Sequence, residues 1–207
     1  MCGRFVDPDM RSAGLDTSWL KINPFPRRWN VKPTQDVLIV AKQPAQAMMA
    51  RWWLIPSWFD GPDAKAWKAT TFNARIEEAR DKPSFRNVWR HGRCLIPAAG
   101  YYEWQGDRGA KRPFFFRSAG NDDTLWIAGL ASRWQGLLTC TMMTRAANAS
   151  VEPIHDRMPV ILNTEEQAAW LAGSDELEIG AGAVLRHHEV RRFGIADEGA
   201  DLIEPVE

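Results

Sequence analysis

The most reactive position in this sequence is the second. Cys2 follows the initiator Met1, and an aminopeptidase that prefers small second residues would leave it as a 1,2-aminothiol. Its α-amine would then titrate at about 7.7 to 8.0 and its thiol at about 8.5, so both are partly deprotonated near neutrality. An aldehyde would condense with the amine to an imine, on which the thiol closes to a five-membered thiazolidine. Acyl transfer is the other chemistry open to it, with the thiolate attacking an amide and the amine acting as base. An incidental Cys at a frayed terminus is the plain alternative. Three further residue types suit proton handling or positioning. Glu103 sits between Tyr102 and Trp104 on a strand-like run, where apolar surroundings raise a carboxyl toward neutrality. His155, in Ile-His-Asp-Arg-Met-Pro, exchanges protons at cellular pH. Asn73, in Phe-Asn-Ala-Arg, reads as a helix N-cap or as a neutral hydrogen-bonding group.

These residues span more than 150 positions, so long-range folding must bring them together. The 207 residues are 45% hydrophobic and 25% charged, which fits one globular domain over 1–207 and excludes disorder. No apolar run reaches the roughly 20 residues of a membrane helix, and no leader-like apolar segment follows Met1, so a soluble, cytoplasmic protein is expected. Cys2, Cys94 and Cys140 are too few and too far apart for a disulfide framework or zinc spacing, so no metal and no cofactor are expected. The zero net charge hides an asymmetry of +9 over residues 1–118 and −9 over 119–207. A basic half rich in Trp suits a polyanion whose bases can stack, although such asymmetry also occurs in ordinary enzymes. Strand-like runs cover 36–41, 48–54, 93–97, 101–104, 113–117, 124–130, 137–144 and 183–190. Helices are expected over 74–80, with Asn73 near its start, over 164–172 behind a Thr164/Gln167 capping box, and more weakly over 16–21. Strands outnumber helices without regular alternation. The expected class is therefore α+β, a strand-rich single domain with curved, mixed, barrel-like sheets and a few peripheral helices.

Read together, Met1-Cys2-Gly3-Arg4-Phe5, the segments 28–34, 52–58, 71–77 and 82–86, Arg93 through Trp104, and Ile154 through Val160 resemble the SOS response-associated peptidase (SRAP) family. Members of that family shield abasic sites in single-stranded DNA. The resemblance runs in family order over residues 1 to about 162. It implies a thiazolidine DNA-protein crosslink formed by Cys2 on the ring-opened aldehyde of the abasic sugar. It further implies Glu103 as general acid/base, His155 as the group assisting ring opening, and Asn73 as holder of the Cys2 amine or the opened sugar. DNA contacts are implied for Arg4, Asn30, Pro33, Arg75 and Arg157, with Trp58 and Phe59 stacking on flanking bases. Arg157 has Asp156 and Glu152 as alternative partners. The partner expected is single-stranded DNA containing abasic sites, met by a monomer without membrane attachment. The chain departs from the pattern at Ala99, where many members carry an acid, and at Lys32, which replaces a small residue. Residues 60–72 look longer than in some members, and 191–197 match only loosely and receive no site role.

Two rival readings stay open from the residues alone. A Met-Cys-Gly start also opens glutamine-dependent amidotransferases, so an N-terminal-nucleophile amidohydrolase or peptidase uses the same thiol with an oxyanion hole. A non-catalytic single-strand reader would need only the Arg and Trp residues, and its salt-sensitive binding would ignore Cys2→Ala.

Overall fold

Alternation with a period of two decides which side chains of this chain go inside. The computed structural model describes residues 2–9, 27–41, 46–107, 109–120, 122–176 and 178–206. Strand β1 (Phe5–Val6) is followed by β2 (Asp36–Ala41), β3 (Gln46–Trp52), β4 (Asn73–Arg75) and two short helices, α1 (Ile76–Ala79) and α2 (Arg86–His91). Then come β5 (Arg93–Ala98), β6 (Gly100–Gln105), β7 (Arg112–Ser118), β8 (Leu125–Trp134), β9 (Leu137–Ala146), β10 (Arg157–Pro159), α3 (Thr164–Leu171) and β11 (Leu185–Glu189).

The strands form two sheets. One has four strands in the order β1-β6-β7-β11. In the other, β9-β3-β2-β5-β8 closes on itself through the β8–β9 pairing, with β10 and β4 attached to β9. The pairings of β3 and β4 with β9 are parallel and the rest are antiparallel, so the sheet is mixed and barrel-like. The β8–β9 hairpin turns on Gln135 and Gly136, with φ of 45° and 86°. Two successive positive φ values give the turn whose twist matches the flanking strands.

Alternate residues feed different cores. Val37, Ile39, Cys94, Ile96, Ile127, Cys140 and Met142 join Phe5, Tyr101, Phe114 and Phe116 of the other sheet in one buried cluster. Their neighbours Leu38, Val40, Leu95, Ala128, Leu130 and Met143 face outward to a second cluster with Phe85, Trp89 and Trp170, under the helices. Val6, Tyr102, Phe115, Val190 and Leu202 form a third on the far face of the four-stranded sheet. The parity matters for function, because Glu103 shares the inward face with Tyr101. Gly100 opens β6 where a Cβ would lie 2.4 Å from the Phe116 carbonyl oxygen, so β6 and β7 approach only without a side chain there.

The helices depart from expectation. Asn73, Ala74 and Arg75 are a strand, and the helix shrinks to Ile76–Ala79 with Arg75 at its N-cap. Parallel pairing with β9 captures these backbone groups, so Asn73 is no cap. Helix α2 was not anticipated, because Arg-Asn-Val-Trp-Arg-His offers only two adjacent apolar residues. At α3 the capping box is Asn163 with Glu166, one residue earlier than Thr164/Gln167. The Asn163 oxygen accepts from the Glu166 N–H and the Glu166 carboxylate from the Asn163 N–H, both at 2.9 Å. The weak helix expected over 16–21 lies outside the described residues. No helix among the described residues is long and apolar enough to cross a membrane.

Candidate active site and nucleic-acid interface

Four distant segments meet where the four-stranded sheet abuts the barrel. Strand β1 pairs with β6 in the register Phe5 to Tyr101, and the Tyr102 N–H donates to the Arg4 carbonyl at 3.0 Å. Extending that register two residues sets Gly3 opposite Glu103, so the amino-terminal segment lies along the strand that carries the acid. Asp7 anchors it from the other side. Its buried carboxylate accepts from the Arg28 guanidinium at 2.7 and 3.0 Å and from the Arg28 N–H at 3.1 Å. The barrel contributes Asn73, whose Nδ2 donates to the Cys2 carbonyl at 2.6 Å. His155 arrives on a turn before β10, with its N–H donating to the Val151 carbonyl at 3.1 Å.

Cys2 is 1% exposed and its thiol donates weakly to the Arg4 carbonyl at 3.7 Å. Burial pushes the thiol well above its ordinary range, and the negative field of Glu103 adds to this. The thiol is therefore protonated at neutrality and needs a base to react. Glu103 is 3% exposed, and burial lifts its carboxyl from 4.5 to about 7. A carboxyl poised there can both give and take a proton.

His155 Nε2 lies 3.8 Å from Glu103 Oε2, beyond direct hydrogen-bond length. Two contacts compete at Nδ1: the Arg157 N–H at 2.9 Å and Asp156 Oδ1, also at 2.9 Å. One nitrogen cannot accept from the first while donating to the second. The backbone N–H can only donate, and Asp156 is exposed, so Nδ1 is the acceptor and the ring proton sits on Nε2, facing Glu103. Burial lowers the His155 pKa, which favours this neutral form.

A cleft of about 360 Å³ opens over these groups, lined by Gly3, Arg4, Glu103, Trp104, Lys111 and His155. Arg4 leans over Trp104 with its guanidinium carbon 5.9 Å from the ring centre and donates to Asn30 Oδ1 at 2.7 Å. Asn30 is buried, and its amide donates to the Gly194 and Asp197 carbonyls at 3.1 and 2.7 Å. Asn30 thus braces Arg4 from inside, away from any solvent-borne strand. The segment from 194 to 198, given no role from sequence, is the wall of this brace. Lys32 Nζ also donates to the Ile195 carbonyl at 2.6 Å.

The other expected DNA-contacting residues are differently disposed. Arg157 is clamped by both oxygens of Glu77, at 2.8 and 2.9 Å, rather than by Asp156 or Glu152. Arg75 meets Glu78 at 3.1 Å. Both cations are therefore part-neutralised by the two acids of α1, and Arg4 alone of the three lines the cleft. Trp58 is 52% exposed and packs edge-on to Trp67, while Phe59 is half-buried between Trp67 and Trp134. Pro33 is half-buried beside the Thr34 turn, whose φ of 79° is unusual for a residue with a β-branch. Trp52 is fully buried and Trp53 half-buried. Lys111, on the cleft rim, was missed because a Lys in the polar hairpin between β6 and β7 carries no sequence signal. Tyr101 was missed as well: its hydroxyl is buried in the Cys2 cluster with no hydrogen-bond partner. No group of three or more His, Cys, Asp or Glu among the described residues is arranged to hold a metal ion.

Comparison with known proteins places the chain. The chain is 35% identical to the abasic site processing protein YoqW of Bacillus subtilis over 83% of its length and 80% of the relative's. It is 29% identical to the abasic site processing protein YedK of Escherichia coli with both chains fully covered. The abasic site processing protein HMCES of Xenopus tropicalis matches at 32% identity over 58% of this chain and 43% of its own. A solved structure from Bacteroides thetaiotaomicron superposes with a TM-score of 0.81 at 22% identity, covering 98% of this chain and all of that one, which establishes the shared fold. The family model for SOS response associated peptidase (SRAP) matches residues 1–195, and the chain belongs to that family.

Proposed function

We propose that the chain, once Met1 is removed, captures abasic sites in single-stranded DNA through Cys2 as a thiazolidine, shielding the lesion. The observation that carries this reading is the burial of Cys2 beside a carboxyl held near 7, under a cleft that an extruded sugar can enter. The relatives' names, abasic site processing protein, support the same substrate. With Met1 in place the Cys2 nitrogen is an amide and cannot condense, so a peptide-bond cleavage must precede capture.

The steps follow from the proton positions. As the C1′–O4′ bond of the sugar breaks, protonated Glu103 gives its proton to O4′ and takes the C1′ hydroxyl proton in return, while His155 Nε2–H hydrogen-bonds to the departing oxygen. The Cys2 amine adds to the aldehyde, and protonated Glu103 gives its proton to the carbinolamine oxygen, which leaves as water. The thiol then gives its proton to the Glu103 carboxylate and adds to the iminium carbon, so the ring nitrogen keeps its one proton and Glu103 is again protonated. One water is lost overall. Asn73 fixes the Cys2 backbone while its unpartnered Oδ1 accepts from the amine or the opened sugar. Arg4 and Trp104 hold the neighbouring phosphate and base.

Intact-mass spectrometry tests this. The Met1-less protein incubated with an oligonucleotide bearing one abasic site should gain the oligonucleotide mass minus one water under denaturing conditions, and Cys2→Ala should gain nothing. A Met1-less wild type that stays unmodified would refute capture. Ammonia release from glutamine would then favour the amidohydrolase reading, and salt-sensitive binding unchanged by Cys2→Ala would favour the non-catalytic reader.

A further inference from the structure

Away from the cleft, one face carries positive charge that the fold does not use. Arg80, just past α1, and Arg86, Arg90 and His91 of α2 surround a surface depression of about 610 Å³ together with Asp81 and Asn87. All six are exposed. Most basic side chains nearby are paired: Arg75 and Lys82 share Glu78, Arg93 meets Asp175, and Arg157 is clamped by Glu77. Arg80, Arg86 and Arg90 make no ion pair among the described residues; Asp81 is the one acid lining the depression, and Asp175 feels the charge of Arg80 while pairing with Arg93.

Helix stability does not explain them. Trp89 and the half-buried Val88 dock α2 on the core, and the arginines lie outside that contact. Arg90 and His91 suit the carboxyl end of the helix, but Arg86 occupies its first turn, where no acid is present and the dipole disfavours a cation. Arg86 and Arg90 share a face about 6 Å apart along the axis, which is comparable to the step between successive phosphates of an extended strand. The patch is also continuous with an aromatic platform. Trp58, the one large aromatic among the strongly exposed hydrophobic residues described, donates its indole N–H to the Pro83 carbonyl at 3.2 Å, three residues before α2. Exposed aromatic and unpaired arginines together match the needs of a single strand, stacking for bases and cations for phosphates.

We infer that Arg80, Arg86 and Arg90 form a phosphate track for the arm of DNA that leaves the lesion past Trp58, extending the footprint along α2. This rests on the reading of the cleft as a site for single-stranded DNA. The track adds affinity and salt dependence and takes no part in the chemistry at Cys2.

The test is fluorescence anisotropy with single-stranded oligonucleotides carrying a central tetrahydrofuran, which cannot crosslink. One oligonucleotide is short, and two are extended by about ten nucleotides on the 5′ or the 3′ side. Each phosphate contact on a single strand contributes about 0.7 to the slope of log K against log salt. Arg86→Gln/Arg90→Gln should therefore lower the slope by about 1.4, and weaken binding roughly tenfold at about 0.15 M salt, for the oligonucleotide extended on one side only. Arg86→Lys/Arg90→Lys should retain most of the slope. Crosslinking of a short abasic oligonucleotide should be the same in all three proteins, which also reports that each is folded. Equal slopes for wild type and the Gln variant on both extended oligonucleotides would overturn the track, including the alternative use of the patch for an acidic protein. Failure of wild type to crosslink the abasic oligonucleotide would instead overturn the underlying reading.

Discussion

Replacing Glu103 by Gln should make the protein slower and more stable, and both effects have a calculable pH dependence. The carboxyl is almost fully buried and is held at about 7 against an ordinary 4.5. That difference corresponds to about 3 kcal/mol against the ionised form in the folded state. A carboxyl whose folded pKa is raised contributes its full stability below the unfolded pKa and loses it as pH rises through the folded one. Gln resembles the protonated acid and has nothing to lose. In urea denaturation, Glu103→Gln should therefore exceed wild type by about 3 kcal/mol at about pH 8.5 and by under about 1 kcal/mol at about pH 5. Crosslink formation should behave oppositely. The wild-type rate should be bell-shaped, rising as the Cys2 amine deprotonates at about 7.7 to 8.0 and falling as Glu103 loses its proton. Glu103→Gln should lose about a hundredfold or more in rate and keep only the rising limb, read by quenched-flow gel assay across pH. A variant that keeps the falling limb, or that is no more stable than wild type at the higher pH, would refute the assignment of proton transfer to this buried carboxyl.

Asn73→Ala removes the donor to the Cys2 carbonyl and should slow crosslinking about tenfold at a cost of about 1 kcal/mol in stability, measured by single-turnover kinetics and urea titration. Asp7→Ala removes three hydrogen bonds from Arg28 but also a carboxylate whose burial raises its pKa, and with Arg28 still partly exposed it should cost about 1 to 2 kcal/mol, with the midpoint of urea unfolding as the readout. Lys111→Met removes a cation whose field lowers the Glu103 pKa, so the falling limb of the pH profile should move to higher pH while the rising limb stays in place. Tyr101→Phe deletes a buried hydroxyl that has no partner and should leave stability within about 1 kcal/mol of wild type or raise it by thermal unfolding.

The candidate groups that the fold brings together could be picked out in sequence because each sits in a local segment whose residue types are unusual together: Cys behind Met, Glu between aromatic residues, His before Asp-Arg-Met-Pro. The curved, strand-rich sheets were legible because alternation sorts Val37 from Leu38 and Ile96 from Leu95 before any contact is known. Features decided by partners distant in sequence were not. Asn73 looks like a cap until β9 pairs with its backbone, and Arg157 finds Glu77 only when β10 and α1 are brought together. The Asn163/Glu166 and Thr164/Gln167 spacings both satisfy the capping rule, and the choice between them is made by where Leu162 leaves the sheet. The brace formed by the carbonyls of Gly194, Ile195 and Asp197 is built from backbone, which carries no signature in side-chain type.

The depth of the Cys2 thiol gives this fold a form of chemical restraint. A surface thiolate meets every oxidant and electrophile that diffuses past, and its lifetime is set by the least selective of them. Here all three thiols are interior, and the one at the cleft is kept protonated by its surroundings. On the proposed reading, discrimination then depends on admission: a soluble aldehyde has no strand to hold it in the cleft, whereas one carried on a bound polymer arrives already positioned. For the capture proposed here, a group that must persist through many encounters and act once would gain more from such dormancy than from intrinsic reactivity.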